Sequence, residues 1–200
     1  MLAEELALIA TKPATRRHAL GARSQLNACL AALLIADLVL AGGAEIDGAR
    51  QEARLTGKAP DSDLLAAVAA VIADKGPKVK SVLSAMDRGL RQHGSPGTWD
   101  AATAIVTRGE AGAPERDEIV TRLRHAAAID GPTDRATALV LAMTGPANLL
   151  EIVAPDRGPL RKHARGRIDH GLDGTSFECL PVVVRKLIQE AQAAASAVAG

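Results

Sequence analysis

Aromatic residues are nearly absent from this chain, whose 200 residues include one Trp, one Phe and no Tyr. Aromatic and β-branched side chains are typical of sheets, whereas a core of Ala, Leu, Val and Ile favours closely packed helices. The scarcity also removes the stacking platforms that bind single-stranded nucleic acids. Together with a hydrophobic fraction of 48%, it predicts an all-α globular protein with no nucleic-acid partner.

The chain also has little net charge and only two cysteines. A net charge of +1 gives no overall attraction to nucleic acid, so any basic site has to be local. Cys29 and Cys179 lie far apart in sequence, and we interpret them as reduced, buried thiols of an intracellular protein. The acidic N-terminal segment, residues 1–6, lacks the basic region of a signal peptide. We therefore expect a cytoplasmic protein.

No hydrophobic run is long enough to predict a membrane span. The longest, residues 26–43, falls short of the roughly 20 apolar residues that a spanning helix needs. It also contains Asp37 and ends in a glycine pair that suits a helix C-cap. We interpret Leu26–Ala41 as one buried central helix. Asp37 is then expected to accept hydrogen bonds from a neighbouring helix end or an arginine, with no part in catalysis.

Segments with helical periodicity surround this run and predict a coat of amphipathic helices. Residues 2–10 form the first. The stretch Pro60-Asp61-Ser62-Asp63 is predicted to cap another, and Asp130 and Asp134, which flank a turn, are also predicted caps. One β-signal stands out: Asp47-Gly48 predicts a hairpin turn between Ala44–Asp47 and Arg50–Leu55. The predicted fold is all-α, with amphipathic helices around a buried central helix or bundle and one small β-hairpin, in a single domain spanning residues 1–200.

No catalytic or metal-binding signature is present. Nucleophile-elbow, zinc-protease, phosphate-loop and dinucleotide motifs are absent, and the five His residues lack metal-ligand spacing. We expect no enzyme activity, no catalytic residue, no metal and no cofactor. A small hydrolase or transferase with an unrecognised site remains the least favoured alternative.

Basic residues are the one non-random feature of the sequence. One cluster occupies residues 157–167, and a second consists of Arg16, Arg17 and Arg23. A solvated helix face is the ordinary interpretation of such a cluster. The functional alternative is an anion surface for lipid headgroups, which are bound with about 1 kcal/mol per basic residue close to a membrane.

The order of these features resembles the Golgi phosphoprotein 3 family. Met1–Ala10 is similar to its opening helix, which has the pattern Leu-x-x-Glu-Glu-Leu-x-Leu-Leu. Leu33–Gly42 resembles its core helix, Leu-Leu-x-Ala-Glu-Leu-x-Leu-x-Gly, with Asp37 in place of the Glu. The hairpin, Asp134–Leu139 and the Arg-x-Arg-Ile at Arg165–Ile168 follow in the family's order. The resemblance covers nearly the whole chain, and the Ala- and Arg-rich composition suggests a bacterial member.

The resemblance implies a helical domain that sits peripherally on membranes. Eukaryotic members bind phosphatidylinositol 4-phosphate and the cytosolic tails of Golgi glycosyltransferases. The Trp and the first Arg of the family's headgroup pocket fall at Ala22 and Ala31, with Arg23 adjacent to the first position. Arg135 corresponds to the basic residues that precede the Ala-Leu helix, and the short stretch 109–114 stands where many members have an Arg-Tyr-Pro hairpin.

We therefore predict a peripheral membrane protein of this family that binds phosphoinositide or other anionic phospholipid headgroups through a degraded pocket. It would be cytoplasmic, on the inner face of the membrane. The alternative is a protein–protein adaptor that has lost lipid binding, with a protein partner that the sequence does not name. The predicted headgroup-binding residues are Arg16, Arg17, Arg23, Arg135, Arg161 and Arg165.

Overall fold

The computed structural model describes residues 1–12, 17–18, 23–91, 113–131, 133–155 and 158–199. Its helices are α1 (Leu2–Ala10), α2 (Arg23–Leu40), α3 (Asp63–Lys75), α4 (Val79–Arg91), α5 (Ala113–Ala128), α6 (Arg135–Thr144), α7 (Leu150–Val153), α8 (Pro159–His170) and α9 (Cys179–Ala199). Its strands are β1 (Thr11–Lys12), β2 (Arg17–His18), β3 (Ala44–Asp47) and β4 (Glu52–Leu55). The predicted all-α class with a small hairpin is confirmed, and a two-residue antiparallel pairing of β1 with β2 is added to it.

Helix α2 lies at the centre of the fold, as predicted. Every residue from 26 to 36 is buried, and so is Leu38. The helix begins at Arg23 rather than Leu26 and ends one residue early, at Leu40. Gly42 caps its C-terminus in a left-handed conformation, with a φ of 79°. The next residue, Gly43, donates its backbone N–H to Leu38 O at 2.9 Å. Helices α1, α4 and α9 pack around it.

Helix α1 is more deeply buried than its periodicity indicates. Leu2, Leu6 and Ile9 face the core as predicted, but Ala7 and Leu8 on the other faces are buried too. The reason is that α1 packs against α2, α5 and α6. The core therefore has two enclosed helices rather than one.

Asp37 connects these two enclosed helices. Its carboxylate accepts hydrogen bonds from Leu2 N (3.1 Å) and Ala3 N (3.4 Å), which are unpaired donors of the first turn of α1. Burial raises the pKa of Asp37 above its ordinary value, and the two backbone hydrogen bonds oppose that shift. The expected tie between Asp37 and a neighbouring helix end is confirmed.

The hairpin pairs Ala44 with Leu55 and Asp47 with Glu52. The return strand begins at Glu52 rather than Arg50, because residues 48–51 form the connection. Asp47 Oδ1 accepts from Arg50 N at 2.9 Å and stabilises that turn. Ala53 N donates to Pro77 O at 2.7 Å, so the hairpin is attached to the segment that leads into α4.

The predicted cap at Asp134 is confirmed, and Ser62 is the capping residue within the predicted stretch Pro60–Asp63. Asp130, also predicted as a cap, instead lies 3.6 Å from His163 Nε2. Ser62 Oγ accepts from Leu65 N at 3.2 Å, and Asp134 Oδ1 accepts from Thr137 N at 2.9 Å. The sequence predicts a loop over Gly109–Pro114, and this is wrong at its end because α5 begins at Ala113. It also predicts a helix that is capped by Thr98 and has Trp99 inward, which lies outside the described residues.

Leu160 departs from its predicted inward orientation. The spacing of Leu160, Ala164 and Ile168 predicts one inward face of a helix. Ala164 and Ile168 are buried, but 58% of the Leu160 surface is exposed. The small side chains of Ala127 and Ala128 on α5 lie near it and leave a groove instead of a packed contact.

Both cysteines are buried and form no disulfide. Burial raises the pKa of the Cys179 thiol to about 11, which is consistent with an unreactive thiol. Among the residues that the structure describes, none of the helices has the length and apolar character required to cross a bilayer.

Candidate anion-binding surface

Helix α8 carries most of the basic cluster at residues 157–167. Gly158 precedes it with a φ of 104°, a backbone conformation that favours glycine, and Pro159 occupies the first turn. Ala164 and Ile168 are buried, and the helix packs on α5 and α6. The cationic side chains on its other faces therefore project from a helix that is itself held in place by this packing.

Two of these arginines are engaged in internal contacts. Arg161 Nη2 lies 3.2 Å from Glu151 Oε1, and its side chain is only 21% exposed. Arg167 Nη2 donates to Gly131 O (2.9 Å) and Thr133 Oγ1 (2.6 Å), which joins α8 to the turn before α6. Neither guanidinium is a fully free cation, so the predicted role of Arg161 in headgroup binding is weakened by its ion pair.

Arg165 and Lys162 differ from these two arginines. Both side chains are exposed, and neither side chain makes a hydrogen bond or ion pair with any residue in the described part of the chain. Lys162 is missing from the predicted site residues, because sequence alone does not show which cations of a cluster have acidic partners. The two side chains are the cations of α8 best placed to meet an external anion.

Arg135 is the first residue of α6 and is also exposed. Its guanidinium carbon lies 5.9 Å from the centroid of the buried Phe177 ring, a cation–π distance. The neighbouring Asp134 accepts hydrogen bonds from Thr137, and these hold the pKa of its carboxyl below the ordinary value. An anion at Arg135 would therefore meet a fixed negative charge beside it.

The remaining predicted residues belong to the N-terminal cluster. Arg16 lies outside the described residues. Arg17 is paired with Lys12 in the β1–β2 ladder, and Arg23 begins α2; their side chains are not described. The described structure therefore distributes the predicted site over separate elements: Arg17 on β2, Arg23 on α2, Arg135 on α6, and Arg161 with Arg165 on α8.

The expected pocket position within α2 is closed. Ala31 has no exposed surface, so an external headgroup does not reach it. Ala22, the other position, lies outside the described residues. Among the described residues, no group of three His, Cys, Asp or Glu side chains is arranged to hold a metal ion.

The contacts of Arg167 predict a structural role for it. Replacing Arg167 with Ala removes two hydrogen bonds between α8 and the turn before α6, whose half-buried acceptors can rehydrate. We expect a loss of about 1 kcal/mol in the free energy of unfolding, measured by urea denaturation. Vesicle binding of the folded variant should be unchanged, and a binding loss without a stability loss would contradict this role.

Comparison with known proteins gives one match. The family model for Golgi phosphoprotein 3 (GPP34) matches residues 2–110, which is more than half of the chain. No curated protein and no solved structure matches the sequence.

Proposed function

This chain belongs to the Golgi phosphoprotein 3 family, and on that premise we propose that it binds anionic membrane surfaces weakly and with little headgroup selectivity. It acts by binding rather than by catalysis, as a peripheral protein on the cytoplasmic face of a membrane. It binds the headgroups of anionic phospholipids or phosphoinositides.

The observation that carries the proposal is the pair of exposed, unengaged cations on α8. Lys162 and Arg165 have no partner in the described part of the chain, and each basic residue near an anionic surface contributes about 1 kcal/mol. Ala31 is fully buried, so a fixed phosphate ligand at that position is lacking. Mobile point charges respond to surface potential and do not distinguish one headgroup from another.

The proposal predicts a specific loss on mutation. Lys162→Ala combined with Arg165→Ala should weaken binding to phosphatidylglycerol vesicles by about tenfold or more, since two headgroup contacts are removed. Co-sedimentation at low and physiological salt measures this, because screening over about 8 Å at physiological salt should reduce binding strongly.

A matched control removes two exposed lysines elsewhere. Lys75 and Lys80 already form ion pairs with Asp74 and Glu190. Lys75→Ala combined with Lys80→Ala lowers the net charge by the same amount, and should bind vesicles nearly as well as the wild type. Equal losses in the two double variants would show that overall charge, and not α8, determines binding.

A protein–protein adaptor is the second candidate function. The full burial of Ala31 favours it, because the family's lipid pocket is lost at that position. The absence of binding to any vesicle at low salt would support this second function over the first.

A further inference from the structure

An apolar groove of about 230 Å³ lies between α5 and α8 and is closed on one side by residues 153–155. Its floor consists of buried small or apolar side chains: Ala127, Val153, Ala154 and Ala164. The volume is below the range of about 300–1,000 Å³ typical of drug-sized ligands. It therefore suits a short alkyl chain.

The groove exists because both helices present alanine where a larger side chain would fill the space. Ala127 and Ala128 on α5 face Ala164 on α8. Leu160 stands at the rim with 58% of its surface exposed. An apolar ligand in the groove would remove the Leu160 side chain and its own alkyl surface from water together, which is favourable in proportion to the area covered.

Among the described residues, one cation lines the groove. Arg124 Nε donates to Ile152 O at 3.0 Å, which holds the guanidinium against the groove wall. A guanidinium has five N–H donors, and no described residue accepts from the other four. No acidic side chain is among the described lining residues, and the nearby Glu151 is paired with Arg161.

We propose that this groove binds a short-chain anionic amphiphile, with the alkyl chain on the alanine floor and the headgroup on Arg124. The shared chemistry is an alkyl chain that ends in a phosphate or a carboxylate, whether it comes from a lipid or from a free molecule. Charge complementarity supports this occupant, because the charged side chain among the described lining residues, Arg124, is cationic. The site needs no bilayer and is distinct from Lys162 and Arg165.

Octyl phosphate, kept below its micelle concentration, is the direct probe. In NMR titrations, the methyl signals of Val153, Leu160 and Ala164 and the Nε–H signal of Arg124 should shift saturably. Octanoate should give the same pattern. Octyl glucoside, with the same chain and a neutral head, and inorganic phosphate, with no chain, should both bind much more weakly.

Substitutions at two exposed residues, Arg124 and Ala128, test the headgroup contact and the alkyl-chain groove separately. Arg124→Gln retains a donor for Ile152 O but removes the charge, and should raise the Kd for octyl phosphate about tenfold or more. Ala128→Phe should cover the groove and abolish binding without changing the buried core. Arg88→Gln is the matched control, because Arg88 Nε also donates to a carbonyl, Ser84 O, at 3.3 Å, and its Kd should equal that of the wild type.

The proposal is overturned if Arg124→Gln binds octyl phosphate as tightly as the wild type, or if octyl glucoside binds equally well. It is also overturned if the groove signals respond to an acidic leucine-containing peptide and not to octyl phosphate, which would identify a protein-docking groove. None of these outcomes affects vesicle binding through Lys162 and Arg165, so the two proposals fail separately.

Discussion

Replacing Leu34 with Asp is expected to unfold the protein. Leu34 lies in the middle of α2 with 1% of its surface exposed, and a lone buried carboxylate there has no partner. The cost should exceed about 4–5 kcal/mol, which is comparable with the whole stability of a domain, about 5–15 kcal/mol. Far-UV circular dichroism with thermal melting measures the effect.

Two control variants separate buried charge from other effects. Leu34→Ala leaves a cavity and should lower the free energy of unfolding by about 2–5 kcal/mol. Val182→Asp places the same charge on α9, where Val182 is 53% exposed, and should change stability by no more than about 0.5 kcal/mol. A cooperative melt of Leu34→Asp near the wild-type Tm would show that α2 is not the centre of the core.

Asp37→Leu is expected to lower the free energy of unfolding by about 1–3 kcal/mol, because the N–H groups of Leu2 and Ala3 lose their acceptor. Asp37→Asn retains one carbonyl acceptor of similar shape and should cost less. Urea denaturation of the two variants gives the comparison. An Asp37→Leu protein that is as stable as the wild type would exclude Asp37 as an anchor of α1.

The contribution of Asp37 to stability should also depend on pH, with a sign that follows from its pKa. Burial raises the pKa of Asp37 above its ordinary value of 3.8, so the folded state holds the proton more tightly than the unfolded chain. The resulting stabilisation is complete below 3.8 and is lost as the pH rises through the raised pKa of the folded state. The stability of the wild type relative to Asp37→Asn should therefore fall with rising pH in that window.

Local sequence signals predicted the features that depend on neighbouring residues. The capping stretch Pro60–Asp63 and the cap at Asp134 are predicted because short polar side chains precede an apolar periodic segment. The burial of α2 followed from its uninterrupted apolar run, and the hydrogen-bonded role of Asp37 followed from the cost of leaving a carboxylate unpaired in a core.

Features that depend on distant packing were not predicted. The full burial of α1 arises from contacts with α5 and α6, which its short periodic pattern does not reveal. Leu160 is exposed because the residues opposite it are alanines. The sequence places Arg161 and Arg167 in one basic cluster but does not show their partners, Glu151 and the turn at Gly131, which lie elsewhere in the sequence.

The most direct test of the proposed function is co-sedimentation with vesicles of equal surface charge. One set contains phosphatidylglycerol, a second contains phosphatidylinositol 4-phosphate, and neutral phosphatidylcholine is the reference, each at two salt concentrations. We predict equal binding to both anionic sets, almost none to the neutral set, and a strong decrease at the higher salt concentration. A salt-insensitive preference for the phosphoinositide would contradict the account, because it requires a headgroup pocket rather than exposed point charges.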